Sequence, residues 1–583
     1  MFKQIKTAMR KPNYDKYPAT HVSGTIYQGW ENIIAELESR YGNRQQWAID
    51  LYVGAMEEEF ISAFGRTGRR IVSTRSLMKT QPEIEKLTER FMTDDVLFGF
   101  ISNVSLDEYF CQDKVSEFLA ESKNEPIIII GTGAAKFAAE DAPVVYADMA
   151  RWEIQQRFRR HEVKALGYDN REEPPSFQYK RGYFNDWNIC DRHKLELATA
   201  HRIGYWIDSN QAGKPKMISN QTFIEGIRKT ARNPFRVVPF FDPAPWGGQW
   251  MKEVCDLDRS EVNYGWCFDC VPEENSLLLD VEGTRFEIPA QDLVLLEAIP
   301  LLGEAVESRF GKSFPIRFDF LDTMGGGNLS LQVHPTTQFV QTNFGIHYTQ
   351  DESYYLLDAG EDAVVYLGLK EGVDSTGMIN GLRHAQETGE AFPVEKYVNK
   401  IPAKKHDHFL IPNGTIHCSG RNSMVLEISA TPNIFTFKLY DWQRLGLDGK
   451  PRPINIERGR QVIKWERDTR YVREHLANHI ETLAETPHCK KERTGLHPNE
   501  FIETTRYTFD EKITLHNAGS VHVLNLAEGE EAVVESPNGA FDPFVVHYVE
   551  TFIVPACVGE YTIRPCGKAE GKTCKVIEAH VRV

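Results

Sequence analysis

In Asn328-Leu-Ser-Leu-Gln-Val-His-Pro335 polar and apolar residues alternate. Strand side chains repeat every two residues, so Ser330, Gln332 and His334 share one face while Leu331 and Val333 take the other. A strand that sets an amide beside an imidazole is built to meet something other than an apolar core. Working outward, Glu352 follows a loop in Gln350-Asp-Glu-Ser-Tyr-Tyr-Leu-Leu357 and is again succeeded by strand-forming residues. Farther on, Asp407-His-Phe-Leu-Ile-Pro-Asn-Gly-Thr-Ile-His417 reads as a strand, a Pro-Asn-Gly turn and a histidine just beyond it. Two imidazoles, one carboxylate and one amide oxygen (His334, His417, Glu352 and Gln332) make a four-ligand set, and mixed N/O ligation with two histidines suits zinc or another late first-row ion. Spacing alone equally allows histidines that only satisfy hydrogen bonds within a sheet, since no helix-based zincin motif supports a metal.

The chain around this stretch is too long for one core. Its 583 residues amount to roughly three or four units at the usual domain size. Hydrophobic residues make up 41% and charged ones 26%, which excludes collagen-like, disordered and coiled-coil classes. A net charge of -16 repels polyanions, so nucleic acid is not an expected partner. No apolar run approaches the length that crosses a bilayer, and the basic N-terminal stretch lacks an apolar core, so a cytoplasmic protein without a membrane partner is expected. The ten cysteines are scattered, which makes reduced thiols the default.

Composition divides the chain. Up to about residue 232, short apolar runs such as 47–53, 70–73, 127–130, 144–146 and 204–207 alternate with helical patterns, which predicts a parallel α/β domain. A kinase-like ancestry with a lost phosphate loop fits this region: after 47–53 the chain runs GAMEEEF, whose glutamates repel phosphate. From 233 a Pro/Gly/aromatic passage opens a mainly β region to about 450, with a helical insert near 373–388. A helical connector over 451–497 and a final β unit over 498–583 complete the expected order.

The blocks LSLQVHP (329–335), DESYYLL (351–357), HDHFLIPNGTIH (406–417) and VLEISATPNIFTFKLYDWQRLG (425–446), in this order, resemble the class I mannose-6-phosphate isomerases (phosphomannose isomerases), zinc enzymes of the cupin fold. The likeness runs over about 235–583, from PWGGQW (245–250) to ETFIVPAC (550–557). It implies a bicupin of two jelly-roll barrels, with one zinc held by Gln332, His334, Glu352 and His417 in the first and no metal ligands in the second. It also implies interconversion of mannose 6-phosphate and fructose 6-phosphate, hence a small sugar phosphate as partner. The chain departs from the family at two places: Gln350 stands where many members carry lysine, and Lys438 where they carry arginine. Lys438 is the leading proton-transfer residue, with Asp441 and His408 as alternatives, and Arg444 keeps a second positive charge nearby. Ser330 and Asp441 are expected beside the substrate. A non-catalytic reading stands alongside, in which the metal-containing cupin senses a sugar or sugar phosphate and the N-terminal domain passes the signal on.

Weaker signals have structural explanations. Gly131-x-Gly133 after an apolar run lacks the third glycine of a dinucleotide loop. Cys267 and Cys270 have redox spacing without a second pair. His475 and His479, four apart, read as one exposed helix face, and Arg151 to Arg160 as another.

Overall fold

The computed structural model describes residues 12–122, 125–430, 435–447, 449–495 and 497–583. Residues 1–11, part of the stretch read for a leader, and 431–434, inside the fourth family-like block, lie outside the described residues.

Five apolar runs of the N-terminal part form parallel strands. Gln46–Leu51 lies between Ile127–Gly131 and Val144–Asp148, with Arg70–Ser73 beyond the first and Ile203–Asp208 beyond the second. The three central strands are buried along their whole length, as strands covered by helices on both faces must be. Ile33, Leu37, Phe60 and Phe64 from two helices join Trp47, Ile49 and Ile128 in one apolar cluster, and Ala48, Ile127 and Ile129 face another. The sheet is mixed, however: Lys216–Ser219 and Ile26–Gln28 extend it antiparallel. Only a short loop joins Ile203–Asp208 to Lys216–Ser219, and a parallel neighbour needs a crossover of a dozen or more residues.

The N-terminal region is stitched into the rest of the chain. Ala19–Val22 stands outside the seven-stranded sheet and pairs parallel with Ser276–Val281. Lys194, fully buried, lies 2.9 Å from Asp148 and 2.6 Å from Asp292, so one cation joins the two regions. Phe98 packs against Phe344, Phe435 and Phe437 at centroid distances of 5.3, 6.1 and 5.4 Å.

The central β region contains two antiparallel sheets. One has the order His408–Ile411, Glu352–Ala359, Ser423–Ala430, Ile316–Asp322, Trp266–Cys270, Phe240–Asp242; the other runs Val398–Pro402, Val364–Leu369, His417–Ser419, Leu331–Val333, Phe437–Tyr440. Tyr354 and Leu356 of the first and Val365 and Leu367 of the second belong to one apolar cluster. The insert is the helix Ser375–Thr388, started by the Asp374 carboxylate accepting from Gly377 N–H and stopped at Gly389, whose φ of 74° suits glycine.

The connector departs from expectation. Among its described residues helical turns occupy Ile456–Gly459 and Thr469–Leu476, while Glu481–Glu485 and Cys489–Gly495 are strands. Both join the six-stranded sheet of the tail, which continues through Ile502–Phe509, Cys574–Val581, His522–Glu528 and Thr551–Val554, beside a four-stranded sheet. The helix pattern yields because sheet pairing with Ile502–Phe509 supplies the backbone partners this segment needs. His475 packs at a tilt against Tyr471, and His479 bonds the Arg473 carbonyl beyond the helix end.

Candidate metal centre

Gln332 is the middle residue of Leu331–Val333, and its register decides what surrounds it. It is the direct cross-strand partner of His417 on one side and of Lys438 on the other. Directly opposed residues of an antiparallel pair project from the same face, so the amide lies between an imidazole and an ammonium. Leu331 and Val333 take the opposite face and are fully buried in the apolar cluster that holds Val340 and Phe344.

Both imidazoles are held at Nδ1 by backbone carbonyls: His334 at 3.1 Å from Phe435 O and His417 at 2.9 Å from Thr415 O. A carbonyl only accepts, so Nδ1 carries the hydrogen in each ring and Nε2 presents its lone pair. Those two Nε2 atoms lie 3.0 and 2.8 Å from the two carboxylate oxygens of Glu352. Two lone pairs facing a carboxylate repel unless a positive charge sits among them. His334 Nε2 and Glu352 Oε1 are moreover buried without a hydrogen-bond partner. The Gln332 amide nitrogen stands 3.2 Å from His417 Nε2; with the amide turned over, its oxygen completes a set of two nitrogens and two oxygen-bearing groups that fits a divalent cation. Gln350 backs this set, its amide donating to Glu352 Oε2 at 3.0 Å.

Beside the centre is a cationic cluster. Asp441 accepts from Ser330 Oγ at 2.9 Å and Arg444 Nη2 at 2.6 Å, and lies 3.1 Å from Arg452 Nη1. With Lys438 the cluster holds three cations to one carboxylate. Burial, then Arg452, then Arg444 lower the Lys438 ammonium pKa to about 8 against the opposing pull of Asp441. Ser330 and Asp441, both expected at the substrate, are thus bonded to each other. Arg452 was not anticipated: it lies in the segment expected to be a helical connector, and no local pattern marks it. His408 leaves the site. Its cross-strand partner is Tyr355, which faces away from Glu352 and Tyr354, and burial followed by Arg506 pushes its imidazole down to about 3.

The weaker signals resolve into packing. Gly133 and Ala135 N–H groups both donate to Asp50 at 3.0 Å, so the glycine turn spends its donors inside the protein. Cys267 and Cys270 are buried free thiols. Arg157, in the basic run, is buried and donates to the carbonyls of Gly54, Ser209 and Asn210.

Curated relatives of this chain are mannose-6-phosphate isomerases. Mannose-6-phosphate isomerase ManA of Bacillus subtilis (strain 168) is 28% identical over 158 residues, 26% of this chain and 45% of the relative. The mannose-6-phosphate isomerase of Streptococcus mutans is 26% identical over 220 residues, 37% of this chain and 64% of the relative. The chain therefore spans about half to two thirds of the length of these isomerases. Among solved structures, the mannose 6-phosphate isomerase of B. subtilis matches with a TM-score of 0.48 at 18% identity, covering 60% of this chain and 100% of that one. Residues 29–232 match a family model described as a domain of unknown function, DUF8485. Among the described residues no helix is long and apolar enough to cross a membrane.

Proposed function

We propose that this chain is a zinc-dependent aldose-ketose isomerase that interconverts mannose 6-phosphate and fructose 6-phosphate in the cytoplasm. The observation that carries the reading is the pair of carbonyl-anchored imidazoles facing one carboxylate beside a lysine and two arginines. Gln332, His334, Glu352 and His417 would hold the metal, which when bound supplies a Lewis acid for the negative charge that develops on the sugar oxygens.

The rest of the chemistry falls to the chain. Isomerisation moves one proton between carbons 2 and 1 of the opened sugar, through an enediol-like species, and a second proton between the oxygens those carbons carry. Lys438 Nζ, made less basic by burial, takes the proton from one carbon and returns it to the other, so no net proton is consumed. Arg444 and Arg452 meet the phosphate, with Asp441 and Ser330 fixing where the guanidinium groups point. The two pairs of antiparallel sheets we read as the two jelly-roll barrels of a bicupin, and residues 1–232 as a domain added to it.

A second reading, a metal-containing sensor without catalysis, is favoured by Gln350, an amide where the resembled enzymes carry a lysine. A coupled assay with mannose 6-phosphate on the full chain, with and without a chelator, separates the two. Chelator-sensitive turnover supports the isomerase; binding without turnover supports the sensor.

A further inference from the structure

The tail, expected to lack metal ligands, brings a second group of donors together. His522 and His580 are direct cross-strand partners on His522–Glu528 and Cys574–Val581, so their rings emerge from one face. They lie 5.5 Å apart between centroids. Glu578, two residues before His580, shares that face. One donor atom from each of the three lies within 4.8 Å of the others.

The surroundings make the group unusual. The same strands contribute Leu524, Leu526 and Val576 to an apolar cluster closed by Phe552 and Tyr561. Against that lining, His522 is 5% exposed and Glu578 2%. A buried carboxylate is costly unless it is paired or coordinates a cation. Tyr561, from the facing four-stranded sheet, has its hydroxyl 2.8 Å from His522 Nδ1. With that hydroxyl accepting the Nδ1 hydrogen, the Nε2 lone pair points toward Glu578, as an outer partner does for a ligating histidine. Nε2 stands 3.6 Å from Glu578 Oε1, too far for a hydrogen bond. It is close to the separation, about 3.3–3.6 Å, of two ligands each about 2.0–2.2 Å from one tetrahedral ion. His580 Nδ1 is 2.8 Å from the same oxygen, and its side chain keeps 27% of its surface open, which leaves an approach from solvent.

We propose that His522, Glu578 and His580 form a second divalent metal site of the zinc class, independent of the centre at Glu352. Three protein ligands leave a fourth position for water. Glu503, opposite His580 on the other neighbouring strand, shares the face but is held by Arg493 at 2.8 Å. The ion would tie two long strands of the tail together across their register, taking the place of the hydrogen bond from His580 Nδ1 that otherwise pairs the buried Glu578 carboxylate. The site does not depend on the isomerase reading, because it shares no residue with the first centre.

The test is elemental analysis of the full chain after zinc loading and desalting, for wild type, His334→Asn, and His522→Asn/His580→Asn. Loss of one zinc per chain from wild type to the His522/His580 variant is expected, whatever the first centre holds. Unchanged zinc content in that variant overturns the proposal. Should that variant fail to fold, the His334→Asn chain carries the question alone: stripped and titrated with cobalt, it is expected to bind one equivalent with the intense visible bands of a low-coordinate ion. Absence of those bands, with no cobalt retained, overturns the proposal equally.

Discussion

The Gln350 amide donates to Glu352 Oε2 at 3.0 Å, two residues away on the approach to the same strand. Its second contact, at 3.4 Å, is Glu427 Oε1, a carboxyl that burial and Glu352 push well above its usual range. One neutral amide thus orients the carboxylate of the candidate metal centre and joins it to a buried acid behind.

Replacing Gln350 by leucine keeps much of the volume and removes that donor. Partners of metal-ligating groups contribute about 10–100-fold to affinity, so Gln350→Leu is expected to weaken zinc binding by that order. Competition against a chromophoric chelator measures it; unchanged affinity would show that Glu352 is oriented without Gln350.

His334→Ala removes one of the two imidazoles at Glu352. Activity toward mannose 6-phosphate should be lost together with the metal of this centre, and added zinc should fail to restore it. Metal retained at full stoichiometry in a chain that also lacks the His522 and His580 ligands would contradict the ligand set.

The Lys438 ammonium, lowered to about 8 chiefly by burial, gains its neutral form as pH rises through that value. Turnover that depends on the free amine should therefore climb with pH toward about 8 and then level off. Arginine cannot lose its proton near neutrality, so Lys438→Arg should abolish this rise and cost at least ~10²-fold in kcat. A variant with near wild-type turnover would refute the assignment and leave Asp441 as the alternative.

Phe98 belongs to the N-terminal region, yet it packs on Phe435, whose carbonyl accepts from His334. Phe98→Ala opens a cavity costing about 3–5 kcal/mol and frees that anchor. Reduced thermal stability and weaker metal retention are expected together. A fall in stability with no change at the metal would mean that the carbonyl is held by other contacts.

Lys194→Met would leave Asp148 and Asp292 buried without their shared cation. Breaking such a pair costs about 3–5 kcal/mol, partly offset here because burial and Asp148 raise the Asp292 carboxyl so that it takes up a proton readily. Calorimetry should show earlier unfolding, less so at mildly acidic pH, where protonation removes the repulsion.

Much of the site was legible in the sequence because strand alternation is local. The two-residue repeat assigns Gln332 and His334 to one face whatever lies beside them, and apolar runs between helical patterns mark the central strands of the N-terminal sheet. What lies beside a strand is another matter. That Gln332 stands between His417 and Lys438, that Arg452 reaches Asp441 from a segment read as a helical connector, and that His522 meets His580 all depend on the register of strands far apart in the chain. Register is fixed by which apolar faces bury together, and a one-residue slip would turn every one of these side chains to the opposite face. Local sequence chose which residues could be donors; long-range burial of the sheets decided which of them meet.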